Sequence, residues 1–278
     1  MAGVTWGRVW AVDDRPIGIF DSGFGGLTVA RALIDLLPEE DVVYFGDTGR
    51  YPYGPKPLDD VREYARQVTA LLVERHDVKM VVAACNTAAA AALDLLRFEH
   101  DVPIVGVIDP GLRAAVAVTR NRRVGVIGTV GTIGSGAYQR ANVAHRTGVE
   151  LHCCACPGFV EFVERGETDS EQVHVLAERL LAPLREAGVD TVLLGCTHYP
   201  FLARTIGDVM GREVVLVSSA EETAFEVRTI LDDTGLVRRS GGKGTHRFVS
   251  SGDVDEFKRL GSRLLGPELA EAEAWAWG

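Results

Sequence analysis

No stretch of this sequence approaches the roughly 18 consecutive apolar residues that a membrane helix needs, so no membrane span is expected. Positive charge is scarce: 29 lysines and arginines face 39 aspartates and glutamates, a net charge of −10 at pH 7. That balance argues against a broad electrostatic footprint for nucleic acid, so no direct nucleic-acid partner is expected. It also means that an anionic ligand must be attracted locally, for example by backbone N–H groups at helix ends. Cysteine is sparse and odd in number: Cys85, Cys153, Cys154, Cys156 and Cys196. Residues 1–15 contain no apolar leader and read as a poorly ordered extension. Free thiols without a leader point to a reducing cytoplasm. A second C-x2-C pair is also missing. Cys153 and Cys156 alone cannot close a four-ligand zinc site, so no metal is expected. The cluster reads as strand packing ahead of a turn at Pro157-Gly158. The GGKGT run at 241–245 lacks the spacing of a phosphate loop and reads as a mobile turn.

What the sequence does have is alternation. Nearly half of its 278 residues are apolar (46%), enough to bury a sizeable core. Apolar runs predict strands at 17–20, 41–45, 78–84, 103–108, 123–127, 150–154, 191–195, 214–218 and 245–249. Helical spacing predicts helices at 27–37, 58–76, 88–98, 138–146, 170–187, 220–231 and 254–265. A glycine- and threonine-rich connection fills 128–136. The tail after Pro267 reads as a helix end or as disordered chain. Such alternation implies an α/β fold with mostly parallel sheets. The IGIF at 17–20 is echoed by VGVI at 124–127, and each half later supplies a cysteine at a strand end. We therefore expect two pseudo-symmetric parallel-sheet α/β lobes with the active site in the cleft between them. The expected division is an extension at 1–15, a first lobe of 16–108 plus 219–278, and a second lobe of 109–218.

The two cysteines carry the chemistry. Cys85 follows the strand at 78–84 and precedes Asn86-Thr87; Cys196 follows the strand at 191–195 and precedes Thr197-His198. Open α/β sheets place their ligands at the carboxyl ends of strands. A buried free cysteine is usually a small hydrophobe, but two in matched settings suggest a paired thiol mechanism. A thiol with a pKa of about 8.5 is only a few per cent ionised at pH 7, so it needs a base, a cation or a helix N-terminus beside it. His198 is suited to take the proton of Cys196 or to stabilise its thiolate. A cysteine hydrolase using Cys196 with His198 is the one-thiol alternative, and it leaves Cys85 without a role. The loop from Asp21 to Gly26 lets backbone amides approach a ligand. Its Gly23-x-Gly25 has a dinucleotide flavour, but Thr28 replaces the third glycine and Asp21 would oppose a pyrophosphate. A small carboxylate ligand with Asp21 as an acid–base helper fits the loop better.

Several stretches together resemble one family, the bacterial glutamate racemases of the aspartate/glutamate racemase superfamily. They are IGIFDSGFGGLT (17–28), YFGDTGRYPYG (44–54), ACNTA (84–88), VPIVGVI (102–108), VGVIGT (124–129), CPGFVEFVE (156–164), LGCTHYP (194–200) and FVSSGD (248–253). The resemblance covers about 16–265. It implies a cofactor-independent isomerase that interconverts L- and D-glutamate for peptidoglycan synthesis, with two thiols on opposite faces of the substrate. Carried over by motif, Cys85 and Cys196 are the acid–base pair, Asp21 and His198 their assistants, and Glu164 a further acidic catalytic residue. Asp21-Ser22, Tyr53-Gly54, Asn86-Thr87 and Thr197-His198 resemble the substrate-binding pairs. Relatives that act on aspartate tend to carry an acidic residue at the position of His198, so His198 favours glutamate. The resemblance also implies a homodimer; some glutamate racemases bind DNA gyrase as a side activity, which makes gyrase a candidate second partner.

Overall fold

A computed structural model describes residues 13–238 and 240–278. Most of the expected N-terminal extension, residues 1–12, lies outside the described residues. The apolar runs at 17–21, 42–46, 80–83, 104–106 and 191–195 become strands buried on both faces, as parallel sheets with helices on either side require. In order come β1 (Ile17–Asp21), α1 (Leu27–Leu36), β2 (Val42–Gly46), α2 (Leu58–His76), β3 (Met80–Ala83), α3 (Asn86–Glu99), β4 (Ile104–Gly106) and α4 (Ile108–Val118). The rhythm restarts with β5 (Arg123–Gly128), α5 (Val130–Gly134), α6 (Ala137–Ala144), β6 (Glu150–Ala155), α7 (Phe159–Arg165) and α8 (Glu171–Glu186). Next follow β7 (Thr191–Gly195), α9 (Ala203–Met210) and β8 (Val215–Val217). The chain closes with α10 (Ala220–Thr234), β9 (His246–Ser250), α11 (Val254–Leu265) and β10 (Glu273–Ala274).

Two parallel sheets result. One has the order β10-β9-β2-β1-β3-β4 and the other β6-β5-β7-β8. The α/β class with two parallel sheets is as expected from the sequence. In the first sheet β2 and β3 flank β1 on opposite sides; in the second, β6 and β7 flank β5 in the same way. Strand order therefore reverses at β1/β3 and again at β5/β7. Such switch points open a crevice beyond the strand ends, because successive crossover helices leave to opposite faces.

Several local expectations need correction. The connection at 128–136 contains a helix, α5, whose first turn is capped by the Thr129 hydroxyl accepting from the Thr132 N–H at 3.2 Å. The strand expected at 103–108 stops at Gly106, and α4 starts at once. Pro110 hid that helix; in a first turn its missing N–H breaks no bond. Two shorter helices, α7 and α9, also went unread. The tail is neither a simple helix end nor disordered chain: after a 3₁₀ turn at Gly266–Leu269, β10 pairs with β9.

One buried ion pair underpins the first sheet at the end remote from the cleft. Lys79, fully buried, places its ammonium 2.6 Å from the Glu40 carboxylate and donates to the Asp13 carbonyl at 2.9 Å. The other Glu40 oxygen accepts from the Arg238 N–H at 2.8 Å. Replacing Lys79 with Met strands a carboxylate in the core. Lys79→Met should lower unfolding stability by about 3–5 kcal/mol, read by urea denaturation; a loss below about 1 kcal/mol, the scale of an exposed pair, would contradict the assignment.

Candidate active site

Each expected thiol sits where a strand hands over to a helix or turn. β3 leads through Ala84 to Cys85, which caps α3; β7 leads to Cys196, followed by a 3₁₀ turn at Tyr199–Leu202. Both thiols are buried, at 5% and 7% exposure, and both line one cleft with about 620 Å³ of empty space that opens to solvent. Ser22, Tyr53, Gly54, Asn86, Thr87, Thr197 and His198 line the same cleft. The cleft is thus built from both switch points at once.

The walls are clasped across the cleft by hydrogen bonds. The Gly131 N–H donates to the Gly54 carbonyl at 3.0 Å. The hydroxyls of Thr87, Thr129 and Thr132 form a closed triangle with sides of 2.9–3.1 Å. Asn86 donates through Nδ2 to the Tyr138 hydroxyl at 3.0 Å, while its buried Oδ1 has no partner. Thr197 donates to the Asp21 carboxylate at 3.4 Å. Two glycines make the close approach possible. A Cβ on Gly25 would stand 2.5 Å from the Thr197 hydroxyl and 2.7 Å from the His198 ring, and one on Gly26 would stand 2.5 Å from the Asp21 Cβ.

Burial dominates the electrostatics. The Cys85 thiol is pushed up to about 12, first by burial and then by the nearby Asp21 charge; the Ala88 N–H in the first turn of α3 and the Ser22 hydroxyl, 3.7 Å away, pull the other way. Burial likewise raises Cys196, opposed by the N–H groups of His198 and Tyr199, and the charge of Cys85 adds to the rise. Each thiol therefore resists ionisation when the other is charged. Asp21 is fully buried beneath Ser22, behind the cleft wall; burial raises its carboxyl, and N–H groups of Gly23 and Gly26 hold it back. His198 is lowered to about 4 by burial, so it is neutral at pH 7 and a weaker base than an exposed imidazole. Its Nδ1 lies 3.9 Å from the Cys196 sulfur.

Glu164 is placed differently from the residues that line the cleft. It is absent from the cleft wall and shares a side pocket with Tyr51, Gly23 and Phe257. Its link to the thiols runs through Tyr51, which shares that pocket and whose hydroxyl lies 3.3 Å from His198 Nε2. Burial raises the Glu164 carboxyl and Tyr51 restrains the rise. The sequence reading missed Tyr51, Thr129, Tyr138 and the cleft-lining Glu161 and Cys156. Thr129 had a signal: it follows a strand and a glycine in the repeat of the first loop. The others depend on which chain segments face each other, which spacing does not reveal.

Known proteins bear on this geometry. Residues 26–224 match the family described as Asp/Glu/Hydantoin racemase. The chain is 55% identical to the glutamate racemase of Parafrankia sp., over 91% of this chain and 92% of that one. It is 54% identical to that of Mycobacterium leprae, over 92% and 93%. This chain belongs to the glutamate racemase family. Among solved structures, the racemase isoform RacE1 of Bacillus anthracis superposes with a TM-score of 0.88 at 40% identity, covering 95% of this chain and 97% of that one. The glutamate racemase of Francisella tularensis, solved in complex with D-glutamate, gives 0.87 at 30% identity, covering 95% and 98%. As a racemase, the protein is an isomerase, and its family identity supports racemisation of glutamate.

The raised thiols give a direct test. A higher pKa leaves less thiolate at any given pH, and alkylation follows the thiolate. Labelling of Cys85 by iodoacetamide, read by peptide mass spectrometry, should still be accelerating at about pH 10, whereas an ordinary thiol with pKa about 8.5 levels off. A plateau near pH 9 would show that the thiol is not held up by its surroundings.

Proposed function

We propose that this chain interconverts L- and D-glutamate without a cofactor, by proton transfer between two thiols at the substrate α-carbon. The observation that carries the reading is that two buried cysteines, from two separate switch points, line one cleft. In one direction a Cys85 thiolate takes the α-proton, breaking the C–H bond and leaving its electron pair on the substrate. The Cys196 thiol then delivers its own proton to the opposite face. The reverse direction exchanges the roles. Asp21 assists Cys85, and neutral His198, with its Nδ1 beside the Cys196 sulfur, assists Cys196. Glu164 acts on that side through Tyr51. The two assistants differ in chemistry, so the two halves are matched in placement and unequal in acid–base character.

Binding follows from the same walls. N–H donors at the start of α3 and hydroxyls of Ser22, Thr87 and Thr197 suit the substrate carboxylates, and Tyr53-Gly54 closes the cleft beside them. The unpaired Asn86 Oδ1 is an acceptor for the substrate ammonium. A relative of the same fold holds D-glutamate, which supports glutamate as the ligand here. In this reading 16–108 with 219–278 form one jaw and 109–218 the other. The wider role is carried by the family resemblance: a cytoplasmic homodimer that supplies D-glutamate for peptidoglycan, with DNA gyrase, bound by some family members, as a candidate second partner.

Cys85→Ala and Cys196→Ala each remove one of two required proton carriers. Each should reduce racemisation, followed by circular dichroism of glutamate, by at least about 10²–10⁴-fold, the usual contribution of a positioned acid–base group. Full activity in either variant would refute the two-thiol reading.

A further inference from the structure

The mechanism leaves one fully buried carboxylate unused. Asp47 lies just beyond β2, where its N–H donates to the Asp21 carbonyl at 3.0 Å. Its side chain accepts from four donors: the Arg50 Nε at 2.7 Å, the Ser251 hydroxyl at 2.7 Å, the Trp277 indole N–H at 2.9 Å, and the Tyr53 hydroxyl. The Arg50 guanidinium is held between two rings, 3.9 Å from the centroid of Trp277 and 4.4 Å from that of Tyr64. Trp277 also packs edge-on against Phe45 at 5.7 Å, and the Trp275 N–H donates to the Ser250 carbonyl at 2.8 Å. The last residues of the chain are therefore tied to the sheet and reach the loop that carries Tyr53 and Gly54.

We propose that the C-terminal segment is a strap that positions the substrate-binding turn, with Trp277 and Arg50 as positioning residues acting through Asp47 on Tyr53. The route is short. Trp277 and Ser251 fix one Asp47 oxygen; Arg50 and Tyr53 occupy the other. Fixing the Tyr53 hydroxyl fixes the turn, and the Gly54 carbonyl at its tip accepts the Gly131 N–H from the opposite wall. A buried carboxylate that loses a donor re-forms its remaining bonds or admits water. Either response shifts Tyr53, which lines the cleft. The strap thus makes a C-terminal tryptophan a determinant of substrate affinity, although it touches no substrate. This inference rests on Tyr53-Gly54 belonging to the substrate wall.

The test compares Trp277→Ala with Trp277→Phe in the full chain. Trp277→Phe keeps a ring over Arg50 and deletes the N–H donor, so it isolates the hydrogen bond if the alanine variant folds poorly. Trp277→Ala should raise KM for glutamate about tenfold, the scale of one hydrogen bond to a charged acceptor, with kcat changed by less than about threefold. Trp277→Phe should move KM in the same direction by a smaller factor. In both variants amide hydrogen exchange over 47–56 should quicken while exchange in β7 and α8 stays as in the parent. Unchanged KM, or unchanged exchange over 47–56, in a folded variant would overturn the proposal, as would exchange that quickens equally throughout the molecule. Absence of glutamate racemisation in the parent would instead refute the proposed function; the exchange pattern would then decide alone whether the strap orders the turn.

Discussion

Taking charge out of water is the constraint on which the site depends. Two thiols, a carboxylate and an imidazole are buried within one small region, and burial penalises whichever form of each is ionised. It pushes both thiols and Asp21 up and His198 down. The same burial gives the site its capacity for proton transfer. A thiolate made there is a stronger base than one in water. Charge on one thiol raises the other, so the arrangement opposes ionising both at once, and proton transfer across a substrate requires one ionised and one protonated partner. The helix and turn N–H groups at Cys85 and Cys196 offset part of the cost.

Topology explains why there are two such sites and why they meet. A parallel strand can deliver a side chain to a crevice only at its carboxyl end, and the crevice opens where strand order reverses. Each sheet has one reversal, and each reversal supplies one cysteine. The threonine triangle, the Asn86–Tyr138 bond and the Gly131–Gly54 bond then hold the two crevices against each other. None of these contacts belongs to either sheet. They are the reason that two ordinary α/β switch points act as one site.

Much of this was legible in the sequence because local signals and the fold agree. α2 and α11 appear at the residues their apolar spacing predicts. The strands leading to Cys85 and Cys196 are read from short apolar runs broken by polar residues. Their placement on a common cleft has a sequence signal in the echo of IGIF by VGVI. What stayed hidden has two causes. Pro110 and the glycines around Thr129 mask helices because those residues usually break them. Tyr51, Tyr138 and Trp277 gain their importance from partners more than fifty residues away, and no periodicity encodes such a meeting. The tail illustrates this well: its acidic, tryptophan-bearing composition suggests loose chain, yet one indole N–H ties it to a buried carboxylate.

The central claim is that two different groups, on opposite faces of the substrate, handle the departing and the arriving proton. Its most direct test is the early time course in deuterated water, starting from one pure enantiomer of glutamate. Nuclear magnetic resonance of the separated enantiomers reads deuterium at the α-carbon. The account predicts deuterium in nearly every product molecule and almost none in the recovered substrate, because the proton removed on one face is not the one returned on the other. Substantial protium transfer from substrate into product during a single turnover, with one group carrying the proton across, would contradict it.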